Sequence, residues 1–262
     1  MTPMTTPQFL LSGWTWHSSD LLIGAVLILA YLAVCGLQGR SGYFVAAMGV
    51  FFLTMMSPVA RLADGYLFSA HMAQHILLLI VVPALLLMSL PRSFSLMVRP
   101  RVLGQPLVGW ISGVGAMWLW HAPVLCNAAG SSRLISGIQT ISLLVLGVGF
   151  WRQVLAPREE ERLSPPNAIF YLFSACFACS LLGIILTLSP VTVCSIYAMP
   201  RPDPQRMLPM IRSEWGVTPE RDQQIGGLLM WVPMCLIYLA AIFGQVVRWF
   251  AVPASPFPKG VQ

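Results

Sequence analysis

The sequence predicts an all-α integral membrane protein, a seven-helix bundle with its N-terminus outside and its C-terminus in the cytoplasm. Three observations carry that expectation. Of the 262 residues, 57% are apolar and only 9% are charged, against roughly 25% charged in a soluble domain. Apolar runs of the roughly 17 to 25 residues that cross a bilayer recur along the chain. Lysine and arginine gather beside alternate loops, as the positive-inside bias requires. So little charge cannot cover a surface that faces water. The net charge of +6 comes from arginines scattered beside helix ends and forms no basic stripe, which excludes a soluble nucleic-acid binder.

The N-terminal segment, Met1 to Gly13, holds no lysine or arginine and so lacks the basic region of a cleavable signal peptide. The first run, about 20-38, is long enough to remain as a span. The others fall at about 43-60, 67-90, 106-124, 134-155, 168-192 and 224-250. Pro83 and Pro233 lie inside the third and seventh runs, where they are expected to kink the helix. Except for Met199 to Arg221, the connections are too short to fold alone, so residues 1-262 read as a single polytopic domain. Six cysteines, at 35, 126, 176, 179, 194 and 235, show no zinc-site spacing, and no disulfide framework is expected from them.

Counting Lys and Arg on alternating sides gives six against nine. With the sixth loop set aside, because its four arginines are balanced by Asp203, Glu214, Glu220 and Asp222, the count is two against nine. The cytoplasmic anchors are then Arg92, Arg99, Arg101, Arg152, Arg158 and Arg162. This orientation puts all four histidines on the outer side. His71 and His75 lie four residues apart near the outer end of the third helix, where both imidazoles share a face and can reach one metal ion. His121, in Trp118-Leu119-Trp120-His121-Ala122-Pro123, ends the fourth helix at the same depth. The seventh helix starts there with Asp222 and Gln223 and carries Met230 two turns deeper; Gln74 lies beside His75. His17, Cys126 and Cys194 are lower-ranked auxiliary ligands.

Each feature also has a simpler reading. The His71/His75 pair can be satisfied by backbone or by Asp64, His121 can belong to an interfacial aromatic belt, Asp222 can be an N-cap, and Met230 can be packing. Cys176-x-x-Cys179 lies mid-run, away from the outer layer, and reads as small packing residues. Three imidazoles without a carboxylate-rich shell suit copper, zinc or haem iron rather than magnesium or calcium. A nearby thioether favours copper; His75 and His121 on two helices are the pair that could hold a haem. No nucleophile–base arrangement supports hydrolysis, so binding and transfer without enzymatic turnover is expected.

The motifs His71-Met72-Ala73-Gln74-His75 with Pro83, Trp118-Leu119-Trp120-His121-Ala122-Pro123, Gly147 with Phe150-Trp151, Ser189-Pro190 with Tyr197, and Asp222-Gln223-Gln224-Ile225-Gly226-Gly227 with Met230-Trp231-Val232-Pro233 resemble, taken together, the CtaG family of cytochrome c oxidase assembly factors, in its seven-helix branch tied to caa-type oxidases. The resemblance covers about residues 40 to 245. It implies a bacterial inner-membrane protein that binds or delivers copper at its periplasmic face. The partners it implies are haem-copper oxidase subunits and a periplasmic copper chaperone. The alternatives are a haem-binding membrane redox protein, ligated by His75 and His121, and an accessory oxidase subunit without its own metal. Two positions depart from the family pattern: Thr140, after Gln139, and Cys179 stand where relatives are expected to carry further histidines.

Overall fold

The computed structural model describes residues 4–36, 39–96, 105–198, 203 and 206–251. Among them every regular element is helical. A short α1 (Thr6–Ser12), closed by the Thr5 and Gln8 capping box, precedes α2 (Ser18–Cys35), α3 (Ser41–Met56) and α4 (Pro58–Ala63). Next come α5 (Phe68–Ile76), a π-helical turn (Leu77–Val81) and α6 (Val82–Ser89), stacked end to end. α7 (Pro106–Trp120), α8 (Pro123–Ser131), α9 (Arg133–Leu155) and α10 (Pro165–Leu188) follow. The three-residue α11 (Met207–Pro209) and a second π turn (Met210–Glu214) lead to the long α12 (Pro219–Ala251). Prolines open α4, α7, α8, α10 and α12, at the one helical position where a missing N–H costs nothing.

Five of these units are long and apolar enough to cross a membrane: α2, α5–α6, α9, α10 and α12. The expected second and fourth runs correspond to α3, with 16 residues, and α7, with 15. At 1.5 Å per residue they span about 24 and 22 Å, short of the roughly 30 Å hydrocarbon layer. Pro58 and Pro123 explain the shortfall, since each bars the residue before it from helical geometry. Hydropathy alone had run both spans on, to about 60 and 124. The stretches beyond these prolines, expected to be span end or loop, fold as α4 and α8.

The third run carries its irregularity one turn earlier than its proline. Pro83 has no N–H for the Leu79 carbonyl, and the helix widens into the π turn just before it. Gly147 of α9 lies against this place: a Cβ there would overlap the Leu79 carbonyl oxygen and crowd Pro83. Pro233 lies inside α12, which is helical on both sides of it.

Phe51, Met72, Leu79, Ile80, Met117, Leu143 and Phe150 are fully buried and mark the centre of the main core. Phe170, Phe177 and Phe243 are 74%, 68% and 69% exposed, an apolar exterior that only lipid would solvate. A second, smaller cluster joins Phe9, Leu67, Met207 and Ile211 at the end where α5 begins. It is fastened by Trp215 Nε1–H donating to Thr6 Oγ1.

The two ends differ in charge. Arg40, Arg92, Arg158 and Arg162 surround Glu159–Glu161 at the end where α6 finishes, and Arg248 lies close to Arg162. Arg99 and Arg101, also expected there as anchors, lie outside the described residues. At the opposite end Cys126 of α8 is disulfide-bonded to Cys194, 68 residues away. This corrects the expectation of unpaired cysteines. The bond forms because α8 folds back over the turn after α10, where Asn127 Oδ1 accepts from Ile196 N–H and Ser195 Oγ–H.

Candidate functional site

The helix that bears the two spaced histidines is held in place by a residue from the far end of the sequence. α5 starts at Phe68 with no side-chain cap of its own. Asp222, in the first turn of α12, accepts from Phe68 N–H, from Ser69 N–H at 3.0 Å and from Ser69 Oγ–H at 2.6 Å. One carboxylate thus satisfies two of the free donors at that helix start. Asp222 was expected to cap its own helix and to orient an imidazole. It caps a neighbour instead, accepting three hydrogen bonds there.

The approach that permits this cap depends on Gly226 and Gly227. A Cβ at Gly226 would overlap the Phe68 ring, and one at Gly227 would overlap Thr187 and crowd the Gly183 carbonyl. α12 therefore wedges between α5 and α10. Gln223, expected beside the metal, works on the other flank. Its Oε1 accepts from Val193 N–H, and its Nε2–H groups donate to Leu186 and Val191 carbonyls, which ties down the end of α10.

His71, His75 and His121 come together as expected. The ring centres of His71 and His75 are 4.5 Å apart. Those of His75 and His121 are 5.0 Å apart, edge to face. All three residues are buried. His71 Nε2 and both ring nitrogens of His75 have no hydrogen-bond partner. Leaving a buried polar atom unsatisfied costs about 1–3 kcal/mol each, so the fold holds three nitrogens at a standing penalty. Tyr197, whose hydroxyl donates to the Ala63 carbonyl, lays its ring 5.7 Å from that of His71.

His121 is the third imidazole and is oriented from within its own helix end. Its Nδ1–H donates to the Met117 carbonyl. A carbonyl oxygen only accepts, so in the neutral ring Nε2 carries a bare lone pair. That lone pair points at Met72 Sδ, 2.9 Å away. Two soft donors face each other with no proton between them. Among the described residues no set of three or more His, Cys, Asp or Glu side chains stands at ready coordinating distances. The rings pack tilted and edge to face against one another, and a guest ion would need them to turn their nitrogens inward.

The remaining expected positions scatter. Gln74 Nε2–H donates to the Thr54 carbonyl, with its side chain also facing His71. Met230 is fully buried in the main core, while the thioether that touches an imidazole belongs to Met72. Cys126 and Cys194 are paired with each other, which removes them as soft ligands. His17 stands apart, at the rim of a cavity that reaches His71. Burial, and then the charge of Arg133, lower the pKa of the His17 imidazole from its ordinary value.

Sequence reasoning missed Met72 and Gln139. Met72 is next to His71 in sequence, and the histidine spacing alone gives it no role. Gln139 of α9 is buried with its Nε2 unpartnered and turns toward His75. Thr140, where a histidine is expected in relatives, bonds back to the Ser136 carbonyl. Cys179 is buried on α10 beside Tyr238.

A family model described as "Cytochrome c oxidase caa3 assembly factor (Caa3_CtaG)" matches residues 30–251. No curated protein and no solved structure matches the chain.

Proposed function

The chain belongs to the family of cytochrome c oxidase caa3 assembly factors, and from that premise we propose that it binds copper in the His71, His75 and His121 layer and passes it to a haem-copper oxidase. The observation that carries this reading is the group of three partnerless nitrogens on His71 and His75, beside an imidazole lone pair aimed at a thioether. Imidazole and thioether together suit copper, in particular Cu(I), better than hard cations. Ligands of this kind suit binding and transfer of an ion, and the role is read here as transfer without turnover. Copper is preferred to haem because His75 and His121 lie edge to face at 5.0 Å, which leaves no slot for a macrocycle between them.

In this reading the whole chain is one polytopic domain of the bacterial inner membrane that crosses seven times, with α3 and α7 as the two short crossings. The histidine layer faces the periplasm. Two features support that orientation. Arg40, Arg92, Arg158 and Arg162 collect at the opposite end, as a cytoplasmic face would have them. The Cys126–Cys194 disulfide is on the histidine side, and such bonds persist in the periplasm rather than the cytosol. The partners are then oxidase subunits and a periplasmic copper donor.

Metal analysis of the detergent-purified protein loaded with Cu(I) tests the proposal. About one copper per chain is expected in the wild type and little in a His75→Ala variant, with zinc and haem absent from both. Equal copper in the variant would remove the site.

A further inference from the structure

A buried metal layer needs a way in, and a polar opening reaches it. A cavity of about 50 Å³ lies between the start of α2, α4 and the start of α9. That is room for a few water molecules. Its rim carries the exposed ion pair of Arg133 Nη2 with Asp64 Oδ2 at 2.8 Å. Half-buried His17 and buried Asp20 line it, and His71 and Gln74 complete it at the histidine layer. His71 is 6% exposed, and its Nε2 has no partner. The cavity therefore runs from acidic and imidazole groups near the surface to His71, whose partnerless Nε2 is itself buried beneath the cavity wall.

We propose that this cavity is the passage by which the metal cation reaches the histidine layer, with His17 and Asp20 as its transient ligands on the way and the Arg133–Asp64 pair as its gate. The inference rests on the copper-binding reading above. The lining chemistry suits a cation that moves through: one imidazole and one carboxylate are too few to retain it, while His71 beyond them offers an unshared nitrogen. The gate is weak enough to open. An exposed ion pair is worth about 0–1 kcal/mol, so it parts often, and while closed it holds the Arg133 charge across the mouth against an incoming cation. No covalent or redox step is needed.

Gly137 gives a clean means of closing the passage. It lines the cavity, and a Cβ built there meets nothing within 4 Å, so a larger side chain grows into open space. Replacing a helical glycine also favours the helix. The experiment presents Cu(I), held by a weak chromophoric chelator, to the purified full-length protein and follows loss of the chelate absorbance with time. Gly137→Leu is expected to fill at least about tenfold more slowly than wild type and to the same final copper content, with Gly137→Ala close to wild type. Arg133→Gln, at an exposed position, is expected to fill several-fold faster, an opposite shift that a folding defect would not produce. His17→Ala is expected to slow filling without reducing the final content. Wild-type rates in both Gly137→Leu and Arg133→Gln would overturn the passage while leaving the copper site intact. A wild-type protein that takes up no copper at all would instead overturn the site itself.

Discussion

Met72 shows how much a single side chain adds to this site. Its sulfur meets the unprotonated nitrogen of His121, yet in the sequence it is only the neighbour of His71. The histidine spacing was legible because residues four apart share a helix face whatever surrounds them. The methionine was not, because its role depends on α7 ending at Trp120 and turning His121 across toward α5. Met72→Leu keeps volume and apolarity, so the fold should hold with a loss of under about 1.5 kcal/mol. Cu(I) affinity should fall about tenfold, equivalent to about 1.4 kcal/mol. Competition with a colorimetric Cu(I) chelator measures this, and unchanged affinity would exclude the thioether as a ligand. Gln139 offers the converse test. A Gln139→His variant would set a fourth imidazole beside His75 and should tighten binding, read in the same assay.

Among elements, α5 is the one whose placement decides the site, and it is placed by α12. The sequence announced a capping aspartate at residue 222. It could not announce which helix receives the cap, because that follows from the close approach allowed at Gly226 and Gly227. Asp222→Ala leaves Phe68 and Ser69 N–H groups without acceptors, at about 1–3 kcal/mol for each buried donor. Its unfolding temperature in detergent should fall, and its copper content with it. Asp222→Asn keeps one acceptor oxygen but turns an amide NH2 group toward the other donor, so it should recover only part of both. If Asp222→Asn instead kept the fold and lost the metal, the carboxylate would be acting on the ion. The same local logic explains the misplaced helix boundaries. Hydropathy sees an apolar run continuing past Pro58 and Pro123, while backbone geometry ends the helix before each of them.

Across the whole molecule, composition and run length made the helical, membrane-spanning class legible from the sequence alone, because charge content limits how much surface can meet water. Long-range pairing was not legible. Nothing in the spacing of six cysteines says that 126 meets 194, since two intervening helices must first fold to bring them together. The orientation proposed here has a direct check. A reporter enzyme active only in the periplasm should be active when inserted after Thr5 and inactive when fused after Ala251. The reverse pattern would turn the molecule over and put the histidine layer in the cytoplasm.

The cross-link between α8 and the turn after α10 has a consequence for how such a protein matures. Its two sulfurs leave the ribosome 68 residues apart, so in the orientation proposed above the bond would close only after α9 and α10 have been inserted and both ends have crossed to the far side. Completion then depends on whatever machinery oxidises exported thiols. In cells lacking that machinery, the chain would thread normally but keep free sulfhydryls detectable by alkylation before reduction. Terminal oxidase activity is expected to decline with it and to recover when a small-molecule disulfide is added to the medium, which links respiratory capacity to envelope redox status.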